Sequence, residues 1–199
     1  MKSGVRPRPY QMVARAESAA ATGERILDAA LDVFWEMPTR RVSLEEVARR
    51  AGVTVQTVIR RFGGKDGLLA AAADREAERV RRQREQAPMD DVEGAVRVLV
   101  DHYEEFGERV LRLLAEEQSA PGLREIADRG RLLHRKWCGR VFATVLADRR
   151  GVERERRLAQ LVTVCDVYTW KLLRLDCGLS RRQTELALTE LLQPMLEQA

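Results

Sequence analysis

Few side chains in this chain could carry covalent chemistry. Of 199 residues two are histidine and three are cysteine, and the pairs they could form are Asp101 with His102 and His134 with Cys138. Sequence neighbours point different ways on a helix, and the i, i+4 pair has no third group to orient it. No GxSxG elbow, GxxxxGKS/T phosphate loop or HExxH pair occurs, and two histidines leave few general bases. An enzyme is therefore not expected, nor is a cofactor or a metal. Cys138, Cys165 and Cys177 lack a CxxC spacing, which argues against a disulfide framework or zinc site and reads as small core residues.

Recognition chemistry is better represented. The stretch from Thr54 to Arg61, "TVQTVIRR", reads as a short helix with Val58 and Phe62 on one face at i, i+4, pointing inward. Val55, Gln56, Ile59 and Arg60 are then left pointing outward. Two aliphatic side chains beside an amide and a guanidinium suit base edges better than water. A major groove offers a thymine methyl, the adenine N6/N7 pair and the guanine O6/N7 pair to such groups.

That helix needs a scaffold, and the preceding residues provide one. Thr22 is a plausible N-cap for a first helix whose Ile26, Leu27, Ala30, Leu31 and Phe34 share a buried face until Pro38. Ser43 and Glu46 have the spacing of a capping box for a second helix, with Leu44, Val47 and Ala48 on its buried side. Gly52 suits a left-handed helix end, Val53 can plug the gap between helices, and Thr54 caps the third helix. Together these features predict a helix-turn-helix. The first 21 residues, with Arg6, Pro7, Arg8 and Pro9 ahead of an alanine-rich run, read as a flexible basic arm.

Charge supports a polyanion partner at this end. The chain carries a net +4; residues 1–86 hold 17 basic and 12 acidic side chains against 18 and 19 in the remainder, so the whole excess is N-terminal. No uncharged apolar run approaches the ~18 residues that a membrane span needs, and no signal core opens the chain. A cytoplasmic protein without a membrane partner is expected.

The segments "TGERILDAALDVFWE" and "VSLEEVARRAGVTVQTVIRRFGGKDGLL" resemble the TetR family of bacterial transcriptional repressors over Thr22 to Leu69. The resemblance implies that Ser43, Thr54, Thr57 and Lys65 contact DNA phosphates, with Lys65 at the start of a fourth helix, where an anion is also favoured electrostatically. It makes Val55, Gln56 and Arg60 base readers, with Arg61, Arg40 and Arg41 available to phosphates. Two departures stand out. Ile59 replaces the family's usual phosphate-contacting tyrosine and is expected against a thymine methyl or sugar, and Gly63-Gly64 replaces a stiffer turn.

The expected fold is all-α, with about nine helices. A flexible arm (1–21) and a three-helix helix-turn-helix DNA-binding domain (22–68) precede a helical effector-binding and dimerisation domain (69–199). A charged helix should run from Lys65 to about Gln86. A second, from Val92 through Leu113, should break near Gly107, and a third should run from Pro121 to about Arg149 with Gly151 as its stop. Residues 153–177 read as one long helix, apolar over more than half its circumference, and Ser180 with Gln183 as a capping box for a last helix disturbed near Pro194. One of the two surfaces these final helices need is a second subunit, which predicts a homodimer reading a palindromic operator.

The resemblance also implies a body pocket for a small-molecule effector, whose binding moves the fourth helix. Its candidate residues are His102, Tyr103, Phe106, Trp137, Phe142, Asp166 and Trp170, most of which would serve equally as packing. A rival reading is a dimeric helical adaptor whose basic end binds an acidic protein.

Overall fold

A computed structural model of the chain describes residues 9–119 and 121–197. Every element among them is helical: α1 Pro9–Glu36, a 3-10 turn Thr39–Arg41, α2 Leu44–Ala51, α3 Val55–Phe62, α4 Lys65–Glu85, α5 Val92–Glu116, α6 Pro121–Val141, α7 Ala143–Ala147, α8 Gly151–Val164, α9 Val167–Lys171, a π-helical turn Leu172–Asp176, and α10 Arg181–Glu197. The chain divides into two compact units, residues 1–75 and 76–199. None of the described helices is long and apolar enough to cross a membrane.

The N-terminal unit has one small core. Ile26, Ala30 and Val33 of α1, Val47 and Ala48 of α2, Val58 of α3 and Leu68 of α4 pack together out of water. An ionic strap lies outside it, with the Arg50 guanidinium bonded to Glu36 of α1 at 2.6 Å and to Glu46 at 2.7 Å.

Helix α1 departs from the sequence expectation. It begins at Pro9 rather than at Thr22, and residues 9–21, expected as an arm, are helical; residues 1–8 lie outside the described residues. Thr22 caps nothing, because its hydroxyl donates back to the Ser18 carbonyl at 2.9 Å inside the helix. The physical reason is propensity: "ARAESAAATGER" is dominated by alanine, arginine and glutamate, which favour helix without any apolar face.

The second unit packs α6, α8, α9 and α10 around α5. Leu99, Val100 and Tyr103 of α5 meet Trp137, Cys138 and Val141 of α6, Leu158 and Leu161 of α8, Trp170 of α9, and Leu188 and Leu192 of α10. Helix α5 runs unbroken through Gly107, contrary to the expected break. Gly107 sits there because the Trp170 ring lies against it; a Cβ at that position would fall 2.5 Å from a ring carbon.

Two expected long helices are divided. The helix from Pro121 stops at Val141 and resumes as α7 after Phe142, and Gly151 opens α8 rather than only ending the helix before it. The helix expected over 153–177 breaks at Cys165–Asp166. There the Asp166 carboxylate caps α9 through the Tyr168 N–H at 2.9 Å, and the Tyr103 hydroxyl donates to the Cys165 carbonyl at 2.9 Å. These side chains satisfy the backbone groups that a continuous helix would have paired. In α10 the Ser180–Gln183 box closes in both directions, at 3.0 and 3.3 Å, and the helix continues past Pro194.

Candidate nucleic-acid interface

The turn between α2 and α3 is built from local signals. The Ser43 hydroxyl accepts the Glu46 N–H at 3.2 Å and caps α2. The reciprocal half of the expected capping box does not form, because the Glu46 carboxylate turns to Arg49 and Arg50 instead. Hydrogen bonds from these two guanidiniums hold its pKa down, at about 2. Gly52 adopts φ 65°, ψ 39°, a left-handed conformation that a side chain disfavours. With it the Val53 N–H reaches back to the Ala48 carbonyl at 3.0 Å, so α2 ends and the chain turns within two residues. The Thr54 hydroxyl then accepts the Thr57 N–H at 3.2 Å and starts α3.

Helix α3 is held by its inner face. Val58 is fully buried and Phe62 packs against the same core. Gln56, Ile59, Arg60 and Arg61 are exposed, Ile59 at 38%. Val55, expected to point outward, is only partly exposed and packs against the core, because the first turn of α3 faces its neighbours more closely than the spacing suggested. Arg61 lies over α1, its guanidinium against Gly23, where a Cβ would come within 2.3 Å of Nη2.

The phosphate candidates flank this face. Thr54 is exposed and Thr57 partly so, with their hydroxyls 2.9 Å apart. Arg40 and Arg41 are exposed on the 3-10 turn, and Ser43 follows it half-buried. Lys65 opens α4, and its ammonium donates to the Thr39 carbonyl at 2.8 Å. That bond ties the turn carrying Arg40 and Arg41 to the start of α4, a positioning role that sequence reading did not supply.

The seven pocket candidates divide differently. His102, Tyr103, Phe106, Trp137, Phe142 and Trp170 are buried, and Asp166 is the half-buried cap of α9. Their polar atoms are engaged within the protein: His102 Nδ1 with Gln83 at 3.2 Å, Trp137 Nε1 with the Arg84 carbonyl at 3.0 Å, and Trp170 Nε1 with Glu104 at 3.2 Å. Burial, then Arg84 and His134, pushes the His102 pKa down to about 2. A cavity of about 370 Å³ in this unit is lined by Glu104, Glu105, Glu108, Arg109, Trp170, Arg174 and Leu175, so only Trp170 of the seven reaches it.

Arg84 is the interior residue that sequence reading missed. In "RRQRE" it resembles its solvated neighbours, yet it is buried. Its guanidinium carbon lies 5.3 Å from the Tyr103 ring centroid and 5.3 Å from that of Trp137. Nη1 donates to His134 Nδ1 at 2.8 Å, and Nε has no hydrogen-bond partner. Among the described residues, no group of three or more histidine, cysteine, aspartate or glutamate side chains could hold a metal ion.

A capped short helix, a left-handed glycine and a second capped helix with an exposed basic face define a helix-turn-helix protein. Residues 26–72 match the model of the bacterial regulatory proteins of the tetR family. It is 43% identical over 56 residues to the HTH-type transcriptional regulator SrpR of Pseudomonas putida, a match covering 28% of this chain and 26% of that relative's length. A transcriptional regulator from Rhodococcus sp. Rha1 shares the fold, with TM-score 0.68, 22% identity, and coverage of 89% of this chain and 97% of the other. So does SmeT in its complex with triclosan, with TM-score 0.65, 21% identity, and coverage of 87% and 91%.

Proposed function

We propose that this chain is a dimeric transcriptional repressor that reads a palindromic operator through α3 and is released by a small-molecule effector. The observation that carries the reading is the face of α3: Val58 anchors the helix at 0% exposure while Gln56, Ile59 and Arg60 stand clear of the fold. In this reading Gln56 and Arg60 address base edges and Ile59 addresses a thymine methyl or sugar. Ser43, Thr54, Thr57, Lys65, Arg40, Arg41 and Arg61 address phosphates, which fix register but carry no sequence information.

Footprinting on the DNA flanking the gene tests the reading, with protection of an inverted repeat as the expected result. Arg60→Ala is expected to weaken the operator complex by about 1–3 kcal/mol and relax its specificity. Lys65→Ala is expected to weaken operator and random duplex alike, and to lower the salt dependence, because it removes a phosphate contact and frees the Arg40–Arg41 turn. Equal losses on both duplexes for Arg60→Ala would remove its base-reading role.

Dimerisation through the last helices is supported by where apolar surface remains open. Tyr168, Leu172, Leu175, Leu186 and Leu191, on α9, the π-helical turn and α10, are 43–58% exposed in the single chain. Pairing them across a two-fold axis gives the assembly two copies of α3, one for each half of a palindromic operator. Sedimentation at micromolar concentration should give a dimer for the native chain and a monomer for Leu172→Glu with Leu186→Glu. A monomeric native chain would overturn the dimer.

Effector control is supported by the fold likeness to SmeT, which was captured with triclosan. Helix α4 runs in sequence from the N-terminal unit into the second, so a ligand there is placed to bias two states of the fourth helix.

A further inference from the structure

Helix α1 carries a glycine in its interior, where alanine would serve the helix better. Gly23 is buried, although Ala21 and Glu24 on either side of it are exposed. What lies against it is the Arg61 guanidinium from the end of α3. A Cβ on Gly23 would fall 2.3 Å from Nη2, 2.5 Å from Nε and 2.6 Å from Cζ, so the guanidinium occupies the space that a side chain at this position would need.

Arg61 is held there without being neutralised. It is exposed, and among the described residues none forms a hydrogen bond or ion pair with it. The carboxylate next to Gly23, that of Glu24, is turned to Arg75 at 3.1 Å, and Asp28 meets Arg75 at 2.8 Å. Arg49 and Arg50 of α2 are likewise paired, with Glu46 and, for Arg50, Glu36. Arg61 therefore keeps its donors and its full charge for an anion from outside the protein.

We propose that Gly23 is a positioning residue for DNA binding: its bare backbone is a seat that orders the Arg61 guanidinium on α1 before a duplex arrives. This rests on the regulator reading above, in which Arg61 addresses a phosphate. A free arginine side chain samples many rotamers, and fixing it on a phosphate costs conformational entropy. A guanidinium is planar and weakly hydrated, so it can rest on backbone with its N–H groups still open. Seating it in the free protein leaves less entropy to lose on binding.

Stability and binding should then respond in opposite directions. The atoms that a Cβ would displace are the far end of a flexible side chain, so Gly23→Ala moves Arg61 and leaves α1 intact. Alanine also favours helix over glycine. One substitution is therefore expected to stabilise the N-terminal unit and weaken its hold on DNA. A glycine retained only for packing would lose stability instead and leave the binding of the folded chain unchanged.

The test compares the native chain, Gly23→Ala, Arg61→Ala and the double variant. It measures urea unfolding, affinity across a salt series for the footprinted inverted repeat and for random-sequence duplex, and NMR relaxation of the Arg61 Nε–Hε group. In the free native chain that group is expected to show an order parameter above ~0.6, falling below it in Gly23→Ala. Gly23→Ala should bind both duplexes about two- to ten-fold more weakly, the loss expected from ordering one more side chain on binding. Its salt slope should stay native because the charge remains. Arg61→Ala should reduce that slope by about one, and adding Gly23→Ala to it should change the affinity no further. Arg61→Lys, which keeps the charge and lacks the planar fork, should resemble Gly23→Ala.

The proposal is overturned if Gly23→Ala binds both duplexes as the native chain does, or unfolds at lower urea. It is equally overturned if the loss persists undiminished in the Arg61→Ala background, or if the Arg61 group is as mobile in the native chain as in Gly23→Ala. A native chain that binds no duplex defeats the regulator reading itself, and the relaxation data still decide whether Gly23 orders Arg61.

Discussion

Trp170→Ala is expected to destabilise the second unit by about 3–5 kcal/mol, as large-to-small changes at buried tryptophans do. The side chain is 3% exposed, its ring centroid lies 5.8 Å from that of Tyr103, and its face covers Gly107 of α5. The indole N–H would also leave Glu104, although Arg174 continues to hold that carboxylate at 2.9 Å. Gly107 makes the argument specific. Gly107→Ala alone should cost about 1–3 kcal/mol by overpacking against the ring, partly offset by the ~1 kcal/mol of helix propensity that alanine gains over glycine. In the Trp170→Ala background the clash is gone, and the same Gly107→Ala change should stabilise by up to ~1 kcal/mol. Urea unfolding of the four proteins measures the cycle. Additive effects would mean that the ring does not rest on Gly107.

Gly107 also illustrates why sequence reading succeeded in one region and failed in others. Everything that defines the turn between α2 and α3 is local: Ser43, Gly52 and Thr54 act on backbone groups within a few residues of themselves. Residue type and spacing therefore carry the information. The second unit is built by partners far apart in sequence. A glycine within a helical pattern reads as a weak point unless Trp170, sixty-odd positions later, is known to need the space. The break at Cys165 is equally non-local, since the Tyr103 hydroxyl that takes up its carbonyl comes from α5. Asp166, a pocket candidate by sequence, instead caps α9 through the Tyr168 N–H.

The candidate site shows the same division. The exposed run Gln56, Ile59, Arg60 was legible because Val58 and Phe62 fix the phase of α3. The extent to which Val55 packs inward was not, because one turn of phase does not report how closely neighbouring helices approach. Lys65 was legible as a basic residue at a helix start; its bond to the Thr39 carbonyl was not, since it spans a long stretch of chain. Arg84 lay deepest from view. Burying a guanidinium is so costly that composition argues for solvent, and only the aromatic rings and His134 gathered around it reverse that reading.

Ile26→Ala is expected to cost the N-terminal unit about 2–5 kcal/mol. Ile26 is fully buried in a core supplied by four helices, which it shares with Ala30, Val33, Val47, Val58 and Leu68. A small core has few side chains to relax into the space, so most of the cavity should persist. Hydrogen exchange resolves the effect by region: amides of α2 and α3 should lose protection by this amount, while those of α5 and α8 stay near their native values. An equal loss in both sets would mean that the two units unfold as one. The same variant separates folding from recognition. Ile26→Ala leaves Gln56, Ile59 and Arg60 in place, so at a temperature where the unit stays folded its preference for operator over random duplex should equal that of the native chain. Arg60→Ala should do the reverse, keeping full protection while losing the preference. A drop in that preference for Ile26→Ala under folding conditions would mean that the pose of α3, beyond the chemistry of its exposed side chains, depends on core packing.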